Sequence, residues 1–220
     1  MKIDIITIFP DMFTGIFEFG VIGKGITAEL FELNIHDLRN WSENRHKQID
    51  DRPYGGGPGM ILMAEPLGKA IESLKTDKSV VILTTPSGVP FEQEIAEHFS
   101  KENHLIIICG RYEGIDQRII ELYVDYEISI GSYVLSGGEI PAMVIIDAVA
   151  RLIPGVIQNN SFNENESFSD PENRKKLDFP QYTRPPEYKG LNVPEVLLSG
   201  NHNEIKKWRE QNRNLLNDNL

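Results

Sequence analysis

The residues best suited to chemistry lie in glycine-rich loops. One is DRPYGGGPGM at 51–60; a second is GRYEGID at 110–116; a third is IGSYVLSGGE at 130–139. A shorter one, TTPSG at 84–88, resembles them. Three of the four directly follow apolar runs that read as strands: SVVILT, HLIIIC and VDYEISI. In open α/β sheets, ligands bind outside the carboxyl ends of the parallel strands. Glycine lets backbone amides and carbonyls approach a ligand closely and permits positive φ. Loops with so few charged side chains suit a ligand read by backbone groups, as an adenine and its ribose can be.

Other chemistries are excluded or weak. GKGITA at 23–28 matches G-x-G-x-x-A but follows a helical stretch, whereas a dinucleotide fingerprint follows a strand. No G-x-x-x-x-G-K-[ST] occurs, so there is no P-loop. Cys109, the single cysteine, ends an apolar run and reads as a buried small hydrophobe; no intrachain disulfide can form and a reducing compartment fits. The histidines at 36, 46, 98, 104 and 202 have no metal-ligand spacing, so no structural metal is expected. The net charge of −11 argues against a simple nucleic-acid binder. It is uneven, however: residues 1–170 carry 13 basic and 26 acidic side chains, and residues 171–220 carry 9 and 7. RNA contact, if made, is local and depends on placed Arg and Lys.

The elements that must position these loops follow from hydrophobic pattern. Strands are predicted at 3–8, 33–38, 79–84, 104–109 and 124–130, and helices at 11–19, 64–75, 91–101, 115–123 and 139–152. Their alternation predicts an α/β layer fold with a largely parallel sheet. VVIL and LIII are apolar throughout, as expected of strands covered on both faces. MKIDIITIFP reads as a first strand and not a signal peptide, and no stretch of about 18 apolar residues occurs, so a cytoplasmic protein without a membrane span is expected. The Asn-x-Ser matches at Asn40, Asn159 and Asn165 then carry no glycosylation meaning. Residues 158–176 are polar and read as a mobile linker or lid. Beyond them, 177–220 reads as a small helical domain whose helix starts with Asn201 as N-cap and Glu204 as capping-box partner.

In their order and length, DRPYGGGPGM, CGRYEGID, SIGSYVLSGGE with PAM after it, RLIPGV, and YTRP followed by LLSGNH resemble the bacterial tRNA (guanine-N1)-methyltransferases, the TrmD family of the SPOUT superfamily. The resemblance runs from the first strand to about Trp208. It implies a homodimer of chains with three parts: a SPOUT cofactor-binding and dimerisation domain at 1–157, a lid at 158–176 and a small tRNA-binding domain at 177–220. It also implies a deep trefoil knot at the carboxyl edge of the sheet. The implied cofactor is S-adenosyl-L-methionine. The implied target is N1 of the guanosine 3′ of the anticodon, tRNA position 37, in a cytoplasmic enzyme.

By motif position the resemblance assigns Gly110, Ile130, Gly131, Ser132, Tyr133, Val134 and Leu135 to the cofactor site, with Thr84, Pro86, Glu113, Gly137 and Gly138 nearby. It gives Arg151 the role of cation beside guanine O6. The family's general base is an aspartate just before a Ser-Phe pair; here Glu166 stands in that place, with Asp170 as the competing carboxylate. The extra methylene shifts the reach of the carboxylate by roughly 1.5 Å at fixed backbone. Without the resemblance, Arg151 reads as a helix-end cation and both carboxylates as solvated. Arg39, Arg45, Lys47, Arg52, Arg174, Lys175, Lys176, Arg184, Lys206, Lys207 and Arg209 are phosphate candidates, Arg184 foremost.

Overall fold

The computed structural model describes residues 1–157 and 166–214. The chain divides into two compact units, Met1–Gln158 and Asn159–Leu220. The first contains β1 (Lys2–Thr7), α1 (Gly20–Thr27), β2 (Glu32–Asp37), β3 (Asp50–Asp51), β4 (Ile61–Leu62), α2 (Ala64–Leu74), β5 (Ser79–Pro90), α3 (Gln93–Phe99), β6 (His104–Cys109), α4 (Gln117–Tyr123), β7 (Tyr126–Ser129) and α5 (Glu139–Ala150). Five strands form one sheet in the order β2-β1-β6-β5-β7, with every pair parallel.

Side chains of β6 alternate between two cores. Leu105, Ile107 and Cys109 pack with Phe99 of α3 and Ala142, Ile145 and Val149 of α5. Ile106 and Ile108 pack with Leu67 and Ile71 of α2 and Ile119 of α4. A strand covered on both faces has no polar side, which is why HLIIIC shows no alternation. Among the described residues no helix is long and apolar enough to cross a membrane.

The structure corrects several sequence expectations. In place of a helix at 11–19, only Pro10–Phe13 makes a 3-10 turn, and the helix proper is α1. Gly15 at φ +83 and Gly20 at φ +68 interrupt the helical path between them. The two glycines of GKGIT lie inside α1, where a Cβ on Gly23 would sit 2.4 Å from the Glu18 carbonyl oxygen and one on Gly25 would press Phe31 and Val156. Close packing, not a dinucleotide, accounts for them. Strand β5 extends past 84 to Pro90 because it rejoins β7 after a register shift between Thr84 and Val89.

A polar cluster closes the amino-terminal edge of the sheet. The Asp4 carboxylate is fully buried and meets Lys2 Nζ at 2.8 Å, His104 Nε2 at 2.7 Å, His36 Nε2 at 2.9 Å and Asn34 Nδ2 at 3.0 Å. Burial pushes its pKa up, but the hydrogen bonds from His36, Lys2, Asn34 and His104 outweigh this and hold it well below the usual carboxylate range. A folded value below the unfolded one, about 3.9, stabilises the protein above that pH. That stabilisation is lost as pH falls below about 4 towards the folded value. Urea unfolding from pH 7 to pH 3 is expected to show a shallower acid loss in Asp4→Asn than in the parent, and parallel curves would contradict it.

The second unit carries β8 (Glu187–Tyr188), β9 (Leu191–Asn192), α6 (Glu195–Leu198) and α7 (His202–Gln211). It is therefore not purely helical. Lys189 at φ +51 and Gly190 at φ +82 join β8 to β9, and two consecutive positive φ values suit a two-residue hairpin. Asn201 caps α7, its Oδ1 accepting from the amides of Asn203 and Glu204. The capping box is incomplete, because the Asn201 amide donates to Ser199 Oγ and the Glu204 carboxylate pairs with Lys207. Of the segment expected to form a lid, residues 158–165 lie outside the described residues. The part that follows forms a hydrogen-bonded loop, with the Phe168 amide donating to the Lys176 carbonyl at 2.9 Å and the Asp178 amide to Ser167 Oγ at 2.9 Å.

Candidate functional site

Strands β5, β6 and β7 end at the same edge, where the bulge of β5 and the loops after β6 and β7 enclose a cleft of about 440 Å³. That volume lies in the small-molecule range of roughly 300–1,000 Å³. Thr84, Pro86, Gly110, Glu113, Ile130, Gly131, Tyr133, Val134, Leu135, Gly137 and Gly138 all line it. Ser132, the remaining cofactor candidate, is not among the lining residues.

Each loop has a physical reason for its path. Residues 85–88 bulge from the sheet between the two stretches of β5 that pair with β7, which brings Thr85, Pro86 and Ser87 to the rim. A Cβ on Gly88 would sit 2.4 Å from the Glu127 backbone, so this return needs glycine. The loop after β7 curls tightly: Gly131 has φ +156, its carbonyl accepts from the Tyr133 amide at 2.9 Å, and the Tyr133 hydroxyl donates to the Ile130 carbonyl at 3.2 Å. The Gly138 amide then donates to the Gly110 carbonyl at 2.8 Å, and Arg111 pairs with Gly137 in an antiparallel bridge. A Cβ on Gly138 would lie 2.1 Å from Thr84 Oγ1, 2.6 Å from the Gly110 nitrogen and 2.8 Å from Cys109 Cα. The ends of β5 and β6 meet the start of α5 at this point, and only a residue without a side chain fits between them.

An ion pair fastens the same junction. Arg111 Nε donates to Glu139 Oε2 at 2.8 Å, and Thr7 Oγ1 donates to Glu139 Oε1 at 2.8 Å. Arg111 also donates to the Ser136 carbonyl at 3.0 Å and lies over the Phe9 ring at 4.6 Å. Glu139 is fully buried at the first turn of α5, where the helix dipole favours a negative charge. Behind it, burial and the Glu139 charge push the Cys109 thiol well up despite Arg111, so Cys109 is a packed side chain and no nucleophile.

The loop 51–60 is joined to the cleft through Glu113. The Glu113 amide donates to the Met60 carbonyl at 3.0 Å, and Gly59, at φ +76, packs where a Cβ would meet the Glu113 carboxyl at 2.5 Å. Its triple glycine does not line the cleft.

Of the three catalytic candidates, Arg151 shares the unit of this cleft and does not line it. Arg151 caps the carboxyl end of α5, whereas Gly138 and Pro141 at the other end of that helix face the cleft. At 1.5 Å per residue the helix separates them by roughly 18 Å. Glu166 and Asp170 belong to the second unit. There the Glu166 carbonyl accepts from Ser169 Oγ at 2.7 Å, and Phe168 takes φ +66. The Asp170 carboxylate accepts from the Glu172 amide at 3.0 Å and pairs with Lys176 at 3.6 Å.

Some phosphate candidates have internal partners. Arg39 pairs with Asp37 and donates to the Ile8 carbonyl, Lys47 donates to the Ser42 carbonyl, and Lys176 bridges Asp170 and Glu210. Sequence reading missed Arg111 and Glu139 as the clasp of the site, and Thr85, Ser87 and Ser129 as lining. A glutamate at a helix start looks like any exposed first-turn acid, so no sequence signal marked its burial. Among the described residues no group of three His, Cys, Asp or Glu side chains could hold a metal ion.

Residues 1–217 match the family model described as tRNA (Guanine-1)-methyltransferase TrmD. A tRNA (guanine-N(1)-)-methyltransferase of Dictyoglomus turgidum is 51% identical over 211 residues, covering 96% of this chain and 84% of the relative. Those of Citrifermentans bemidjiense and Staphylococcus carnosus are 50% and 49% identical, covering 96% and 97% of this chain and 84% and 86% of theirs. With its whole parallel α/β unit and most of its second unit matched, the chain belongs to the tRNA (Guanine-1)-methyltransferase TrmD family.

Proposed function

We propose that this chain transfers a methyl group from S-adenosyl-L-methionine to N1 of a tRNA guanosine, the one 3′ of the anticodon at position 37. The observation that carries the reading is the convergence of the GRYEGID and IGSYVLSGGE loops with residues 84–88 on one cleft at the carboxyl ends of β5, β6 and β7. The cleft suits that donor. Leu83, Ile115, Ile128 and Leu135 offer apolar walls for a nucleoside, and Glu113 and Glu127 offer carboxylates to a cationic sulfonium and amine.

S-adenosyl-L-methionine supplies an electrophilic methyl carbon on a positively charged sulfur. Neutral guanine carries a proton on N1 and is a poor nucleophile there, so the protein must provide a base. Glu166 takes that proton, and Arg151 stands beside O6, where negative charge gathers. The N1 electron pair then forms the new N–C bond while the C–S pair returns to sulfur. Asp170, whose carboxylate closes a turn on the Glu172 amide and pairs with Lys176, is the competing base; Glu166 is preferred because it holds the position just before the Ser-Phe pair.

The distance between Arg151 and the cleft of its own chain supports a site completed by a second copy. An apolar surface supports the same reading. The Pro10–Phe13 turn with its flanks, α1 and α5 expose Met12, Ile16, Phe19, Val21, Ile140 and Val144, more than a lone soluble surface usually shows together. We read the chain as a homodimer whose partner brings its lid to the cleft. An active species sedimenting as a monomer would contradict this. The tight passage of Gly138 between Thr84 and Cys109, ahead of α5, supports the trefoil knot.

The proposed chemistry is tested with tRNA transcripts bearing guanosine, inosine or adenosine at the target. Inosine keeps the N1 proton and O6, and adenosine has neither. Transfer to the first two and none to the third is expected. Equal transfer to all three would indicate a ribose 2′-hydroxyl methyltransferase instead.

A further inference from the structure

The second unit holds a groove of about 690 Å³ between residues 179–186 and helices α6 and α7. Its polar and apolar parts are unusual for this chain. The lining includes Phe179, Tyr182 and Trp208, with the guanidiniums of Arg184 and Arg209 and no carboxylate. The chain as a whole carries 33 acidic and 22 basic side chains. Several of its other arginines have acidic partners, as Arg39 does in Asp37, Arg111 in Glu139 and Arg118 in Asp116. Among the described residues Arg184 has no hydrogen bond or ion pair through its side chain, and Arg209 lies over the Phe179 ring at 4.8 Å without a counter-charge. Tyr182 meets Trp208 edge-on, with centroids 6.1 Å apart and planes at 64°, and is 49% exposed. One ring is thus braced by the other while leaving a face open.

From this arrangement we infer that the groove is a stacking site for one unpaired nucleotide of the RNA, its base on Tyr182 and its phosphate on Arg184. The inference rests on the proposed RNA substrate. Single-stranded nucleic acid is held by aromatic faces beside positive charge, because every base has a π-face and every nucleotide a phosphate. A duplex would use the arginines and leave the rings idle. An acidic peptide would do the same. Only an unpaired nucleotide engages both halves of the groove. The charge distribution agrees, because the acidic first unit is a poor platform for phosphates and the last fifty residues are mildly basic.

The test uses the full chain and two RNA probes, an anticodon stem-loop and a fully paired duplex of equal length. Trp208 emission is read as the difference between the parent and Trp208→Phe, which removes the contribution of Trp41. The stem-loop is expected to change Trp208 emission and the duplex is not. Tyr182→Ala is expected to raise the stem-loop Kd about 10-fold, the scale of one lost base stack, and Tyr182→Phe to restore it. Arg184→Gln is expected to lower the salt slope of binding by about one, and Tyr182→Ala to leave that slope alone. Unchanged stem-loop affinity in Tyr182→Ala overturns the stacking site, as does equal emission change with duplex or displacement of the stem-loop by an acidic peptide. If those results accompany normal methylation of tRNA by the parent, the RNA reading stands and the groove assignment alone falls. If the parent binds neither RNA, both fall.

Discussion

Glu166→Gln is expected to lower methyl transfer by about 10²-fold or more, with donor binding largely spared. General bases contribute about 10²–10⁴-fold. The amide keeps the size and hydrogen-bonding capacity of the side chain but cannot accept the N1 proton, so the loss should appear in kcat and not in KM. Arg151→Ala should lose a similar factor for a different reason: it removes the charge that the proposed mechanism places beside O6. Single-turnover transfer with saturating tRNA, alongside calorimetric titration of the donor, separates the chemical step from binding. Asp170→Asn serves as the comparison. Its carboxylate accepts from the Glu172 amide and pairs with Lys176, so its loss should loosen a turn and reduce transfer far less. A full-rate Glu166→Gln beside an inactive Asp170→Asn would reverse the assignment of the base.

The second large effect is steric. Gly138 has φ −85 and ψ −3, which any residue can adopt, so Gly138→Ala carries no backbone strain of its own. Its new methyl group would nevertheless lie 2.1 Å from Thr84 Oγ1, 2.6 Å from the Gly110 nitrogen and 2.8 Å from Cys109 Cα. Two of these three are backbone atoms, and they belong to the end of β6 and the loop that begins the cleft. They cannot move without opening the hydrogen bond from the Gly138 amide to the Gly110 carbonyl. Overpacking of this kind costs about 3 kcal/mol. Donor affinity should fall at least 10-fold as the cleft distorts. Gly56→Ala is the contrast: nothing lies within 4 Å of the added atom, and its cost arises only from φ +79, on the order of 1–2 kcal/mol. Adding Thr84→Ala to Gly138→Ala relieves only the nearest contact, so recovery should be partial. Urea unfolding together with donor titration reads both effects, and a Gly138→Ala chain as stable and as tight-binding as the parent would contradict the close-packed junction.

Much of this architecture was legible in the residues. The all-apolar LIII announced a strand buried on both faces, and its side chains do divide between two cores. Loops beginning with TTPSG, GRYEGID and IGSYVLSGG fell after strands, and a parallel sheet brings such loops to one edge. What periodicity could not reveal depends on contacts distant in the chain. The Glu139 carboxylate is buried because Thr7 and Arg111, far away in sequence, arrive beside it. Asp4 interrupts an apolar strand and looks like a solvent-facing residue, yet His36, His104 and Asn34 converge on it from neighbouring strands. The helix at Gly20–Thr27 was obscured because its glycines lower helix propensity, and close packing against Phe31 and Val156 compensates. Arg151 was assigned its role by resemblance and its place at a helix end by pattern, and α5 does set it at the opposite end of the helix from the cleft of its own chain.

The most direct measurement maps the methylated atom. The chain is incubated with isotopically labelled S-adenosyl-L-methionine and a tRNA transcript carrying guanosine 3′ of the anticodon, and the digested nucleosides are resolved by mass spectrometry. The expected product is 1-methylguanosine at that one position, absent when the donor is withheld. Label on a ribose oxygen, on another base or on none would contradict the reading.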